Sequence, residues 1–89
     1  MISITVSIVS DPEMKKLNRK YKGKNCPTDV LSFNIDENLP EGDFMLGEVV
    51  VNKDQAKRQA KDYGNSYEEE LAALVEHGVL HLLGVHHKE

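Results

Sequence analysis

Hydrophobic and polar positions alternate over residues 2–8, and Val9 closes the run. Ile2, Ile4, Val6 and Ile8 fall on one side, and Ser3, Thr5, Ser7 and Val9 on the other. A period of two predicts a strand with its even face buried. From Ser10 the period lengthens. Ser10-Asp11-Pro12-Glu13 holds a capping-box pair three apart and a proline in the first turn. Met14, Leu17 and Tyr21 then recur at helical spacing until Gly23 stops the run. Residues 29–35 place Leu31, Phe33 and Ile35 on one face of a second strand, and the polar, turn-rich residues 36–43 read as a loop. A third strand covers 45–51. Asn52 caps a helix over 53–63 with Ala56, Ala60 and Tyr63 inward and Gly64 as its stop. Ser66 and Glu69 form another capping box, opening a helix that runs to about Leu83 and ends at Gly84. This order, without repeats or linkers, predicts an α+β fold. A small mixed sheet of three to four strands packs with helices in one domain over residues 1–89.

Composition narrows the class. Hydrophobic residues are 39% and charged residues 29% of the 89, a globular balance rather than a disordered one. The longest apolar stretch, Val79 to Val85, is interrupted by His81 and falls far short of the roughly 20 residues of a membrane span. No basic region precedes an apolar core at the N-terminus, so a signal peptide is not expected and the cytoplasm is the expected location. Cys26, the single cysteine, excludes an internal disulfide framework and a CxxC zinc knuckle.

The net charge of −4 is unevenly spread. Lys15, Lys16, Arg19, Lys20, Lys22 and Lys24 fall within residues 14–28 with no acid among them. The rest of the chain holds five basic residues against fifteen acidic ones. Such a segment can attract a polyanion through its near field, although composition alone favours a solvated helix face.

All four histidines lie between residues 77 and 87. On a helix His77 and His81 are one turn apart and share a face. Two imidazoles so placed can hold one zinc ion, and a histidine folded back beyond the Gly84 turn can complete a tripod. Three histidines leave a fourth position open, the catalytic rather than the structural arrangement. Histidines at relative positions 1, 5 and 11 with glycine at 8 also occur in metzincin proteases. Those proteases carry a glutamate general base directly after the first histidine, where this chain has Gly78.

Two segments carry a further resemblance. One is His77-Gly78-Val79-Leu80-His81-Leu82-Leu83-Gly84 with His87. The other is Tyr21-Lys22-Gly23-Lys24 followed by Pro27-Thr28-Asp29-Val30-Leu31-Ser32-Phe33. With Leu46-Gly47-Glu48, they resemble the YbeY family of bacterial metal-dependent endoribonucleases, whose patterns are H-G-x-L-H-L-x-G-x-x-H and Y-R-G-x-x-x-P-T-D-V-L-S-F. The resemblance implies a zinc-dependent, single-strand-specific endoribonuclease. It would act in rRNA maturation at the 16S rRNA 3′ end and in ribosome quality control, with rRNA and the small ribosomal subunit as partners. It implies one zinc per chain on His77, His81 and His87, and a functional cation at Lys22, where the family has arginine. Lys20, Lys22 and Lys24 are the expected RNA-binding residues. His86 stands where the family has an aspartate, so it competes with His87 as third ligand. Members of the family carry a helix before the first strand and another after the third histidine, so this chain reads as a shortened version whose sheet is covered by a partner or left bare. Three alternatives stay open: an RNA- or ribosome-binding, metal-containing module with weak or no cleavage; a zinc protease; and a structural zinc site. Glu48 reads either as an acid orienting a ligand histidine or as an exposed strand residue.

Overall fold

The computed structural model describes residues 1–84; His86 and His87 lie outside the described residues. The elements are β1 (Ile2–Val9), α1 (Asp11–Lys22), β2 (Val30–Asn38), β3 (Phe44–Asn52), α2 (Lys53–Tyr63) and α3 (Tyr67–Leu82), with a 3-10 turn at Pro40–Gly42 between the last two strands. The sheet has the order β1-β3-β2, with β1 parallel and β2 antiparallel to β3. This is the mixed α+β sheet expected from the sequence.

The middle strand carries the run Val49-Val50-Val51 because both of its faces are covered. Val49 and Val51 turn towards α2 and α3, where they meet Ala56, Leu74 and Leu82. Val50 turns the other way, to Met14 of α1 and Leu31 of β2. Tyr21 of α1 tilts against Phe33 of β2 with ring centroids 4.8 Å apart.

Capping chemistry sets the helix starts. The Ser10 hydroxyl donates to Glu13 Oε1 (3.0 Å), and the Glu69 backbone N–H donates to Ser66 Oγ (3.1 Å). The wholly buried Asn52 does more than cap α2. Its Oδ1 accepts from the Asp54 N–H (3.0 Å), while its amide donates to Asp11 Oδ1 (2.6 Å) and to the Thr28 carbonyl (3.1 Å). Arg58 grips the Asp11 carboxylate through both terminal nitrogens, at 2.8 and 2.9 Å. One asparagine therefore ties the starts of α1 and α2 to the segment leading into β2.

Helix α3 lies across β2 and β3, and it sits unusually close. A Cβ placed on Gly78 would come within 2.5 Å of Val49 Cγ1 and 3.1 Å of Ser32 Oγ. A Cβ on Gly47 of β3 would strike the Phe33 carbonyl oxygen and approach Leu82 Cδ2 to 2.8 Å. The Ser32 hydroxyl donates to the Gly78 carbonyl (3.0 Å), fastening helix to strand at the same point.

Three local expectations are corrected. Most of the even face of β1 is not buried: Ile4 packs against the core, but Ile2, Val6 and Ile8 are 65%, 44% and 50% exposed, because α3 covers β2 and β3 rather than the outer strand. Tyr63 is exposed; α2 meets the core through Ala56 and Ala60, and Tyr63 stands in its last turn. Strand β2 continues through the supposed loop to Asn38. Ile35 and Asp36 oppose the single residue Leu46 of β3, with Asp36 at a φ of 51°. Such a bulge lets pairing persist past a polar stretch, and Ile35, on the expected face, is left exposed.

Two predictions follow from these contacts. Gly78→Ala gains helix propensity of about 1 kcal/mol, but overpacking against a buried β-branched side chain costs about 1–3 kcal/mol. A net loss of stability in denaturant titration is expected, and it should shrink when Val49→Ala opens the space. The Arg58 guanidinium and then the Asn52 amide hold the Asp11 carboxyl at about 2, below its ordinary 3.8. A depressed carboxyl stabilises the fold fully above its unfolded value. That contribution disappears as pH falls from about 4 through about 2. Thermal melts of Asp11→Asn should be lower than those of the parent at pH 7 and converge with them across that window.

Candidate active site

The segment between α1 and β2 is held from beneath. Gly23, at a φ of 70°, ends α1 with its N–H directed to the Arg19 and Asn18 carbonyls. The buried Asn18 donates its amide to the Cys26 carbonyl (2.9 Å). At the far end the Asn52 N–H donates to the Asp29 carbonyl (2.8 Å). These bonds bring Lys22, the last residue of α1, to the outer edge of β2.

There a cleft of about 280 Å³ opens, lined by Lys22, Asp29, Val30, Leu31, Ser32, His77, Gly78 and His81. His77 and His81 project from one face of α3 with ring centroids 5.0 Å apart and planes at 60°. Two imidazoles one helical turn apart are a donor pair of the kind that chelates zinc. The residues present fit such an ion. Among the described residues no group of three His, Cys, Asp or Glu side chains is assembled to hold a metal, and a third donor at His87 falls outside them.

The structure brings together Lys22, His77 and His81, which are far apart in the chain. Lys24 borders an adjoining hollow that it shares with Lys22, Cys26 and Thr28. Lys20 points elsewhere: it borders a groove on the outside of α1, with its ammonium 5.2 Å from the Tyr21 ring centre. Glu48 is not positioned to orient a histidine. It alternates with Val49, so it faces α1, accepts from the Ser7 hydroxyl (3.4 Å), and has the sheet between itself and α3.

Asp29, which the sequence pattern included in the Pro27–Phe33 motif without assigning it a role, lines the cleft. Its Oδ1 accepts from the Val30 N–H (2.8 Å) and its Oδ2 from the Gln59 amide (3.4 Å). The available signal was its place as the one acid leading into the β2 run. Ser32 also lines the cleft, and its hydroxyl is directed to the α3 backbone, tying the histidine-bearing helix to β2.

A family model described as endoribonuclease YbeY matches residues 1–89. The chain belongs to the YbeY family. It is 47% identical over 85 residues to endoribonuclease YbeY of Thermodesulfovibrio yellowstonii, covering 96% of this chain and 54% of that protein. The YbeY proteins of Persephonella marina and Aquifex aeolicus are each 44% identical over 88 residues, covering 98% and 99% of this chain and 58% of each relative. The chain thus spans a little over half the length of these relatives. The solution structure of TM1509 from Thermotoga maritima is similar at a TM-score of 0.65 and 34% identity, covering 99% of this chain and 55% of that one. No helix among the described residues is long and apolar enough to cross a membrane.

Replacing His81 with alanine is expected to abolish stoichiometric zinc, measured by elemental analysis of the purified protein. His87→Ala should lose most of the metal and His86→Ala should keep it; the reverse ranking would assign the third ligand to His86. Because binding couples to folding, chelation should also lower the melting temperature of the parent.

Proposed function

We propose that this YbeY-family chain is a zinc-dependent endoribonuclease specific for single-stranded RNA. In this reading it is one hydrolase domain over residues 1–89 that holds one zinc through His77, His81 and His87. It works in the cytoplasm on rRNA, at the 16S rRNA 3′ end and in ribosome quality control, with the small ribosomal subunit as partner. The observation that carries the reading is the shared cleft, where two imidazoles one helical turn apart and a lysine line one hollow at a sheet edge.

Zinc, when bound, supplies Lewis-acid activation of a water nucleophile near neutral pH. The chain's own residues do the rest. The Lys22 ammonium offsets charge that builds on the phosphate during attack. Ser32 keeps α3, and with it both imidazoles, at a set distance from Lys22. Gly78 leaves the position after His77 without a carboxylate, and Val49 leaves no room for one. That speaks against a peptidase with its base in this place.

One feature favours the binding-module alternative. Lys22 stands where the family has arginine, and a lysine offers a point charge in place of a planar fork that grips two phosphate oxygens. Turnover of single-stranded RNA with and without a chelator separates the two, and a casein assay tests the protease. Lys22→Ala should retain zinc and fold yet lose cleavage by about tenfold or more, equivalent to about 1.4 kcal/mol. Lys22→Arg should hold or raise the rate. An unchanged rate in Lys22→Ala would leave this residue as one more solvated charge.

A further inference from the structure

The strongest charge concentration outside the cleft is the outer side of α1. Lys15, Lys16, Arg19 and Lys20 border a groove of about 790 Å³ that also touches Pro12 and Asn25. None of the four forms an ion pair among the described residues. Their spacing stacks like charges one turn apart, Lys15 on Arg19 and Lys16 on Lys20, which opposes helix formation. The helix dipole accounts for basic residues in the last turn, where Arg19, Lys20 and Lys22 stand. It does not account for Lys15 and Lys16, which lie nearer the N-terminal half. An uncompensated cationic stripe fits a polyanion lying along it.

The groove and the cleft adjoin the same stretch of chain between α1 and β2. Asn25 borders the groove, and its neighbours Lys24 and Cys26 border the next hollow. Lys22 lines both that hollow and the histidine cleft. In chain order the cations run from Lys15 and Lys16 through Arg19 and Lys20 at the groove to Lys22 and Lys24 at the hollow that adjoins the histidine cleft. The rise from Lys15 to Lys22 is about 10 Å along the helix.

We propose that Lys15, Lys16, Arg19 and Lys20 form an exosite for the sugar-phosphate backbone of the same single RNA strand whose scissile phosphate lies in the cleft. The exosite deepens the nuclease reading and rests on it. Its contacts are to phosphates, so it fixes the path of the strand without reading bases. Long RNA is held at both places and short RNA at the cleft alone, so affinity rises with substrate length.

The test compares oligouridylates of about 4 and about 16 nucleotides, the span of site sizes in single-strand binding folds. Three proteins are used: the parent chain, Lys15→Gln/Lys16→Gln/Arg19→Gln, and Lys53→Gln/Lys57→Gln/Lys61→Gln, which removes equal charge from α2. Glutamine keeps helix propensity, and circular dichroism checks the fold. The α1 variant is expected to raise KM for the long RNA about tenfold with kcat unchanged and to leave both constants for the short RNA unaltered. It should also flatten the log–log salt dependence of long-RNA binding by about 2. The α2 variant should behave like the parent on both lengths. Equal effects on both lengths, no effect on the long RNA, or an equal effect from the α2 variant would overturn the exosite. If the parent cleaves neither RNA, the nuclease reading fails separately. Fluorescence anisotropy then decides the exosite by itself, since an unchanged Kd of the α1 variant for the long RNA, or no binding by the parent, overturns it.

Discussion

Close contact between α3 and the sheet is the constraint on which the site depends. Gly78 places the helix backbone directly over Val49, and Gly47 does the same from the strand side beneath Leu82. A helix normally stands off a sheet by the depth of its side chains; here two absent side chains remove that depth at successive points. The Ser32 hydroxyl then binds the Gly78 carbonyl and fixes the helix along its axis. His77 and His81 flank this contact, so the edge of β2 and the face of α3 form two walls of one hollow. Interiors packed to this density have little slack for sliding, which holds the two imidazoles in a fixed relation to the edge of β2.

The third wall is held by polar rather than apolar contacts. Asn52 satisfies the start of α2 while gripping Asp11 and the Thr28 carbonyl, and Asn18 holds the Cys26 carbonyl. Both asparagines are buried, and burying an amide is costly unless its hydrogen bonds are made. The segment carrying Lys24 to Asp29 thus has few ordered alternatives. Lys22 is brought beside the histidines by this polar framework, and its length lets it reach round the edge of β2.

How much of this was legible in the sequence follows from how local each cause is. Ser10 with Glu13, Asn52, and Ser66 with Glu69 mark helix starts through contacts within three residues, so the starts of all three helices were readable. Gly23, Gly64 and Gly84 adopt positive φ where the pattern placed stops. The histidine pair was readable because helical spacing alone puts both rings on one face. The bare face of β1 was not, because alternation shows that a strand has an apolar side but not whether a helix reaches it. The tail of β2 was missed because a bulge depends on the partner strand. Asp29 and Gly78 required contacts across the fold, as the Ser32–Gly78 bond, 46 residues apart in the chain, shows. Gly78 first registered only as a missing base, whereas its place in the structure is steric.

The two rims of the sheet differ in kind. At the β2 rim stand Lys22, Asp29 and the histidine cleft, with Asp36 and Glu37 further along the strand. At the β1 rim an eight-residue strand without charge or proline offers unpaired backbone groups and the bare side chains of Ile2, Val6 and Ile8. Charges and irregularities are what discourage strand addition at an edge. Sheet extension in this architecture therefore has a direction. The β1 rim, the edge open to strand addition, lies two strands away from the cleft at the β2 rim.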